Sequence, residues 1–248
     1  MSLHTAGVHV IFGGAGGIGS ALCERLAGEG HHVVAVSRDA ERLSRLAATG
    51  LVRTMVADPG HASEVDATLS NVVAEFGRLD GVANLAGAFL LKPAHLTTDD
   101  EFAAQLHANL RTAFCVLRGA VKVFGESGGS IVLMSSVAAT IGLSNHEAVA
   151  AAKAGVEGLA RSAAATYAAR RIRVNAVAPG LTRTPMTGRL TSNEASLKAS
   201  TAMHPLGRIG EPDDVAAAVA WLLGSQSSWV TGQVLGVDGG LSRVKGRG

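Results

Sequence analysis

The stretch that most limits the fold is a glycine-rich turn near the start of the chain. Val8–Phe12 is a short β-rich run, and it leads directly into the sequence FGGAGGIGSALCERLAGEG. In that sequence Ile18, Leu22 and Leu26 recur at helical spacing, so the stretch is typical of a strand, a tight turn and a helix. Glycines let the backbone approach a pyrophosphate closely, and the helix N-terminus offers it unpaired N–H groups and positive partial charge. The stretch therefore predicts a dinucleotide-binding turn.

The composition favours one α/β domain over residues 1–248. Hydrophobic residues make up 47% of the chain, which is enough for one large core. The 31 glycines, the low aromatic content of 4% and the alanine-rich runs suit helices that pack closely on a parallel sheet. We expect a single Rossmann-type doubly wound domain, with a mostly parallel central sheet flanked by helices on both faces.

Charge and cysteine content exclude several classes of partner. The formal net charge is +2 without a basic block, so no nucleic-acid partner is expected. Cys23 and Cys115 lie in helical patterns without metal-ligand spacing, which predicts reduced thiols and no metal site. The first strand begins too early for a signal peptide to precede it, and no apolar run approaches the ~20 residues that span a bilayer. We expect a cytoplasmic protein without membrane association.

Further strands should carry side chains to the same edge of the sheet as the glycine-rich turn. They are predicted at His32–Val36, Leu51–Ala57, Leu79–Asn84, Gly128–Ser135 and Arg171–Ala178, with a last strand between Pro205 and Gly240. Doubly wound folds bind ligands at the carboxyl ends of their parallel strands. Residues that follow these strands are therefore the candidates for a binding site.

The glycine-rich turn resembles a motif of the short-chain dehydrogenase/reductase family. Gly13, Gly17, Ile18 and Gly19 are similar to the family's TGxxxGIG, with Phe12 at the threonine position. Similar motifs recur in order over almost the entire chain, down to a C-terminal segment ending in DGG. The resemblance implies the family's fold, an NAD(P)(H) cofactor and a small-molecule substrate, and it places these four residues at the cofactor.

Two later motifs also resemble cofactor-binding segments of that family. The sequence NLAG is similar to the family's NNAG, which implies that Asn84 stabilises the central sheet while Ala86 and Gly87 pass close to the cofactor ribose. Pro179-Gly180 and Thr184 are similar to the family's PG…T segment, which covers the nicotinamide carboxamide.

The segment SSVAATIGLSNHEAVAAAK, residues 135–153, resembles the catalytic segment of the family. The resemblance implies catalytic roles for Ser136 and Lys153, and the similarity of HANLRTAF to another family segment implies one for Asn109, whose helix distortion holds a water in a proton relay. The family's tyrosine stands four residues before the lysine. That position is Val149, which has no ionisable proton, so the usual proton donor is missing.

His146 is a candidate for the missing proton donor. It lies seven residues before Lys153, about two turns, and hence on the same helix face if the helix already includes it. An imidazole, with a pKa near ~6.5, exchanges protons around neutrality. Alternatively, SNHE is typical of a helix start with Ser144 or Asn145 as the cap, which leaves His146 as a surface residue of the first turn.

The end of the second strand indicates which nicotinamide cofactor binds. An acidic residue there would favour a free ribose 2′-OH, but the chain has Ser37 followed by the cationic Arg38, which can bind a 2′-phosphate. NADP(H) is therefore favoured over NAD(H). By the resemblance, Asp58 holds the adenine amino group. Alternatively, Arg38 is a surface cation and Asp58-Pro59 only a turn.

Three functions are compatible with this pattern. The first is an NAD(P)(H)-dependent oxidoreductase that transfers hydride between nicotinamide and a carbonyl or alcohol, with its proton from His146, Ser136 or a water. The second is a catalytically impaired nucleotide-binding protein, such as a sensor or a structural subunit. The third is a dehydratase or isomerase. We favour the first, expect a substrate lid around 187–203, and expect the family's homotetramer.

Overall fold

Seven parallel strands form the central sheet of the computed structural model, which describes residues 6–245. The strands are β1 (Val8–Phe12), β2 (His32–Ser37), β3 (Arg53–Val56), β4 (Gly81–Asn84), β5 (Gly129–Met134), β6 (Ile172–Pro179) and β7 (Val234–Val237). Their order is β3-β2-β1-β4-β5-β6-β7, and every neighbouring pair is parallel. This confirms the predicted doubly wound α/β fold.

Helices cover both faces of the sheet. They are α1 (Gly17–Gly28), α2 (Ala40–Ala47), α3 (Ala62–Phe76), α4 (Asp99–Leu106), α5 (Thr112–Val123), α6 (Glu147–Tyr167), α7 (Gly188–Thr191), α8 (Glu194–Met203) and α9 (Pro212–Leu223). One apolar cluster unites the sheet with α1, α2 and α9, and the other unites it with α3, α5 and α6. Within residues 6–245, no helix combines the length and apolar character needed to cross a membrane.

The sheet reverses its direction of growth between β1 and β4, and this fixes where a ligand fits. β1 pairs with β2 on one side and with β4 on the other, so the connections on its two sides run away from each other. Such a switch point leaves a crevice at the carboxyl ends of the strands. The glycine-rich turn follows β1 at this crevice, and the segments after β4, β5 and β6 end at the same edge.

A buried histidine lies within β1. His9 is only 3% exposed, its Nδ1 has no hydrogen-bond partner within the described chain, and its ring packs edge-on against His31 at 4.9 Å between centroids. Burial, followed by the charge on His31, lowers the pKa of His9 to about 4. The folded protein therefore holds this imidazole neutral at pH values where an unfolded chain protonates it.

This burial predicts an acid-sensitive fold. Between pH ~6.5 and about 4 only the unfolded chain binds a proton at His9, so stability falls as pH falls through this window. The full shift corresponds to about 3 kcal/mol at ~1.4 kcal/mol per pKa unit. His9→Val should flatten the fall of the melting temperature from pH 6.5 to 4.5, whereas exposed His95→Ala should leave it unchanged. Equal slopes in wild type and His9→Val would contradict the prediction.

Candidate active site

The turn between β1 and α1 accepts only glycine at two of its positions. Gly13 has φ +79°, and a Cβ built there would lie 2.6 Å from the Ala86 amide nitrogen. A Cβ on Gly19 would lie 2.1 Å from the carbonyl oxygen of Gly13. The turn therefore has no side chains at these positions in front of the N-terminus of α1. A pyrophosphate can approach the backbone N–H groups there, so the turn fits this ligand. Ile18 packs partly buried against the core.

Phe12 replaces the hydroxyl that the family places before this turn, and the backbone holds the turn instead. Its side chain is fully buried in the core. The amide of Gly13 donates to the Val36 carbonyl at 2.8 Å, and the amide of Leu85 donates to the Phe12 carbonyl at 2.8 Å. The turn is therefore joined to both neighbouring strands without a side-chain hydroxyl.

The segment after β6 lies against the glycine-rich turn. Pro179 is the last residue of β6, and the amide of Gly180 donates to the Val237 carbonyl at 3.1 Å. A Cβ on Gly17 would lie 3.0 Å from Cγ2 of Thr184. The fold thus brings Thr184 to the turn from more than 160 residues along the chain.

The residues predicted to contact adenosine lie together beside this crevice. Ser37 ends β2, and its Oγ accepts from the amide of Asp39 at 3.2 Å. Nη1 of Arg38 lies 3.5 Å from Oδ2 of Asp58, while Oδ1 of Asp58 accepts from the Gly60 amide at 2.8 Å. The Arg38 side chain is 71% exposed, and such an open ion pair contributes little to stability. Its guanidinium is therefore free to turn toward a phosphate.

Asn109 lies in a distorted helical segment, as the resemblance implied. The chain forms a π-helical turn at His107–Arg111 between α4 and α5. Nδ2 of Asn109 donates to the carbonyl oxygens of Ala88 at 3.1 Å and Gln105 at 2.9 Å, and Oδ1 accepts from the Ala88 amide at 3.3 Å. Because these bonds satisfy the amide, the side chain stays buried and fixed beside the loop after β4.

Asn84 connects the central sheet to the helix that follows Asn109. Its Nδ2 donates to Oγ1 of Thr112 at 3.2 Å, and its Oδ1 accepts from the Ala86 amide at 3.3 Å. The side chain is buried. Asn84 thereby fixes the backbone of the NLAG segment at the end of β4, on which the position of Gly87 depends.

Lys153 and Asn109 meet at Gly87. A Cβ on Gly87 would lie 2.7 Å from Oδ1 of Asn109 and 3.4 Å from Nζ of Lys153. Nζ also donates to the carbonyl oxygen of Met134, the last residue of β5, at 2.8 Å. Lys153 is 7% exposed, and burial lowers the pKa of its ammonium to about 8.

The serine pair after β5 has two different roles. Oγ of Ser136 accepts from the Ala138 amide at 3.2 Å, which leaves its hydroxyl hydrogen available. Ser135 is buried, and its Oγ donates to Oε1 of Glu157 at 2.9 Å. Sequence reasoning missed Glu157, although its position four residues after Lys153 places it one helical turn further along α6.

His146 does not belong to α6, so the same-face argument fails. The helix begins at Glu147, and His146 is the residue at its N-cap, instead of Ser144 or Asn145. The chain turns at Asn145, which has φ +64°, and Nδ1 of His146 lies 2.8 Å from the Ser144 carbonyl oxygen. The imidazole ring packs against Phe89, with 5.5 Å between centroids. Only Nε2 is left for proton exchange.

Comparison with known proteins gives the family. The family profile described as Enoyl-(Acyl carrier protein) reductase matches residues 13–242. The 3-oxoacyl-(acyl-carrier-protein) reductase FabG of Thermotoga maritima is 38% identical over 242 residues, 94% of this chain and 97% of the relative. The chain belongs to the short-chain dehydrogenase/reductase family. The resemblance of the motifs to that family is thereby confirmed.

Other relatives support the same reaction class. The 3beta-hydroxysteroid dehydrogenase 1 of Eggerthella lenta is 35% identical over 245 residues, 96% of this chain and 94% of that relative. The crystal structure of levodione reductase has a TM-score of 0.89 and 35% identity, covering 96% of this chain and 98% of that one. This short-chain dehydrogenase/reductase is an NAD(P)-dependent oxidoreductase acting on CH–OH or carbonyl groups.

Proposed function

We propose that this short-chain dehydrogenase/reductase is an NADPH-dependent carbonyl reductase with an altered proton donor. The meeting of Asn109 and Lys153 at Gly87, beside the switch point of the sheet, carries the proposal. Burying the Asn109 amide and the Lys153 ammonium there costs folding free energy. Polarising a substrate carbonyl is a function that would account for keeping both groups at this place. Ser136 follows the neighbouring strand β5 and supplies a hydroxyl to the same edge of the sheet.

Residues at the carboxyl ends of five strands, β1, β2, β3, β4 and β6, together with Lys153 of α6, would hold the cofactor. Gly13, Gly17, Ile18 and Gly19 would take the pyrophosphate, Ser37, Arg38 and Asp58 the adenosine end, and Asn84, Ala86, Gly87, Lys153, Pro179, Gly180 and Thr184 the nicotinamide riboside. When bound, NADPH supplies a hydride to the carbonyl carbon. The protein's own task is to orient the substrate, exclude water and deliver a proton to the carbonyl oxygen.

Calorimetric titration with NADPH, NADP⁺, NADH and NAD⁺, followed by turnover on a panel of ketones and aldehydes, tests this function. We expect binding of all four with a preference for the phosphorylated pair, and oxidation of NADPH by at least one carbonyl. If none of the four nucleotides binds, the proposal is refuted.

The second candidate is nucleotide binding without redox turnover, as in a sensor or a structural subunit. Val149 favours it, because a buried valine stands one turn before Lys153 where the family has its tyrosine. Tight NADPH binding without turnover on any carbonyl would support this candidate.

Arg38→Ala should weaken NADPH binding selectively. Loss of a charge-assisted hydrogen bond of about 1.5–3 kcal/mol raises Kd by about 10–100-fold. The Kd of NADH should remain essentially unchanged, since NADH has no 2′-phosphate. Arg45→Ala, on the exposed face of the adjacent helix α2, is the matched control. Equal weakening of NADPH and NADH would show that Arg38 does not read the phosphate.

We also propose that residues 1–248 act as one domain, that the lid around 187–203 covers the substrate, and that the chain assembles as a homotetramer. Phe102 on α4 and Phe114 on α5 support the assembly, since both are large apolar side chains more than 40% exposed on the surface of the described chain. A cytoplasmic location is supported by the buried free thiols of Cys23 and Cys115.

A further inference from the structure

The amine of Lys153 has donor capacity that the fold does not use. An ammonium carries three N–H bonds, and among residues 6–245 only the Met134 carbonyl accepts one of them, at 2.8 Å. The side chain is buried one helical turn after Val149, which can neither receive nor relay a proton. Two N–H bonds are therefore left for groups that enter the crevice.

No opposite charge holds the proton on this amine. Over the described chain, no carboxylate lies within 4 Å of Nζ. The groups beside the amine are the Met134 carbonyl, the Gly87 backbone and the neutral Asn109 amide. The Ser135 hydroxyl is bonded to the backbone carbonyl of Lys153 and to Glu157.

Glu157, on the same helix, is the charged group to consider near Lys153. Its carboxylate accepts from the Ser135 hydroxyl at 2.9 Å and lies 3.8 Å from Arg161. It is thus directed to other partners. Burial alone lowers the pKa of Lys153 to about 8, so the ammonium is mostly protonated at neutral pH and yet a far stronger acid than a surface lysine.

We propose that Lys153 is itself the general acid of carbonyl reduction in this protein, its ammonium protonating the substrate oxygen directly in place of the absent phenol. The inference rests on the proposed function. As the carbonyl carbon receives a hydride with its electron pair from reduced nicotinamide, the Nζ–H bond breaks and an O–H bond forms. The carbonyl is reduced, nicotinamide is oxidised, and the neutral amine regains a proton from solvent.

The other candidate donors are less well suited to this step. Ser136 offers an aliphatic hydroxyl, a much weaker acid than an ammonium. His146 lies outside α6, with Nδ1 occupied at the Ser144 carbonyl and its ring against Phe89. Lys153 alone of the three combines a proton labile near neutrality with a position beside Gly87, where the resemblance places the cofactor ribose.

The first test measures the proton on Lys153 without turnover. Nuclear magnetic resonance of ¹³C-lysine-labelled protein, in the complex with NADP⁺, follows each lysine through a pH titration. Lys153→Met, a substitution of similar shape, assigns the signal. We expect an inflection near pH 8. A Lys153 signal that stays fully protonated up to the ordinary lysine value of ~10.4 would overturn the proposal.

The second test is kinetic. The kcat of carbonyl reduction should fall about tenfold per pH unit above pH 8, while alcohol oxidation, which needs the neutral amine, should rise up to about pH 8 and then level off. Lys153→Met should lose about 10²–10⁴-fold in kcat at saturating NADPH, and NADPH Kd should rise by about 10–100-fold because charge-assisted bonds to the cofactor are lost as well. Added methylammonium should restore turnover to Lys153→Ala. A break near ~6.5 that disappears in His146→Gln would instead assign the imidazole and overturn the proposal.

These outcomes separate failure of the inference from failure of the proposed function. If wild type and Val149→Tyr both bind NADPH but only the variant reduces carbonyls, the reductase site is real and Lys153 is not a proton donor. If neither binds NADPH, the proposed function fails, and the inference with it.

Discussion

Replacing Val149 by tyrosine should raise the kcat of carbonyl reduction by about 10²-fold, the lower end of what a general acid contributes. The substitution places a phenol one helical turn before Lys153, on the same face of α6. The nearby ammonium favours the phenolate and so lowers the phenol pKa toward neutrality. We expect Lys153 to supply a proton already in the native protein. Adding the phenol therefore improves an existing proton transfer, and the gain in kcat stays at the lower end of the ~10²–10⁴-fold that a general acid contributes.

Val149 lies outside the two main apolar clusters. It is buried, yet it belongs to neither of the clusters that join the helices to the sheet, so we expect a larger side chain there to disturb neither of them. Single-turnover reduction at saturating NADPH measures the effect, and Val149→Phe is the matched control because it adds the ring without the hydroxyl. Equal rates for the two variants would show that the phenol proton is not used.

The framework of the site was predictable because local signals determine it. At Gly13 and Gly19 the neighbouring backbone is so close that no Cβ fits. Only glycine can occupy such positions, so the glycine spacing in the sequence is enough to predict the tight turn. An asparagine inside a helix, as at position 109, is locally unfavourable, and the helix distortion that the family resemblance implies there agrees with the π-helical turn.

Features decided by distant contacts were not predictable. The sequence leaves two starts for α6 open, a helix that already includes His146 or a cap at Ser144 or Asn145, and the structure has neither. The Asn145 carbonyl accepts from the amide of Lys92, and this contact accompanies the left-handed turn that places the cap at His146. The bond between Ser135 and Glu157 likewise joins a strand end to a helix 22 residues away. Neither a serine nor a glutamate indicates by its residue type alone which distant group it will bind.

Gly19→Ala should abolish useful cofactor binding, with the NADPH Kd raised about 100-fold or more because overpacking a fixed turn costs roughly 3 kcal/mol. The new methyl would lie 2.1 Å from the Gly13 carbonyl oxygen and 2.8 Å from Cα of Gly14, both of which are backbone atoms. Backbone cannot move aside as a side-chain tip can. The turn must therefore open, and its amide groups lose the arrangement that receives a pyrophosphate.

Gly28→Ala distinguishes this steric effect from a general effect of alanine in α1. Gly28 ends the same helix, and a Cβ there has no heavy atom within 4 Å. Because alanine is favoured over glycine in a helix, this control should melt slightly higher than wild type and bind NADPH equally well. Calorimetric Kd values and melting temperatures of both variants are sufficient measurements. Normal NADPH affinity in folded Gly19→Ala would show that the turn between β1 and α1 does not hold the cofactor, since that turn cannot keep its conformation around a methyl group.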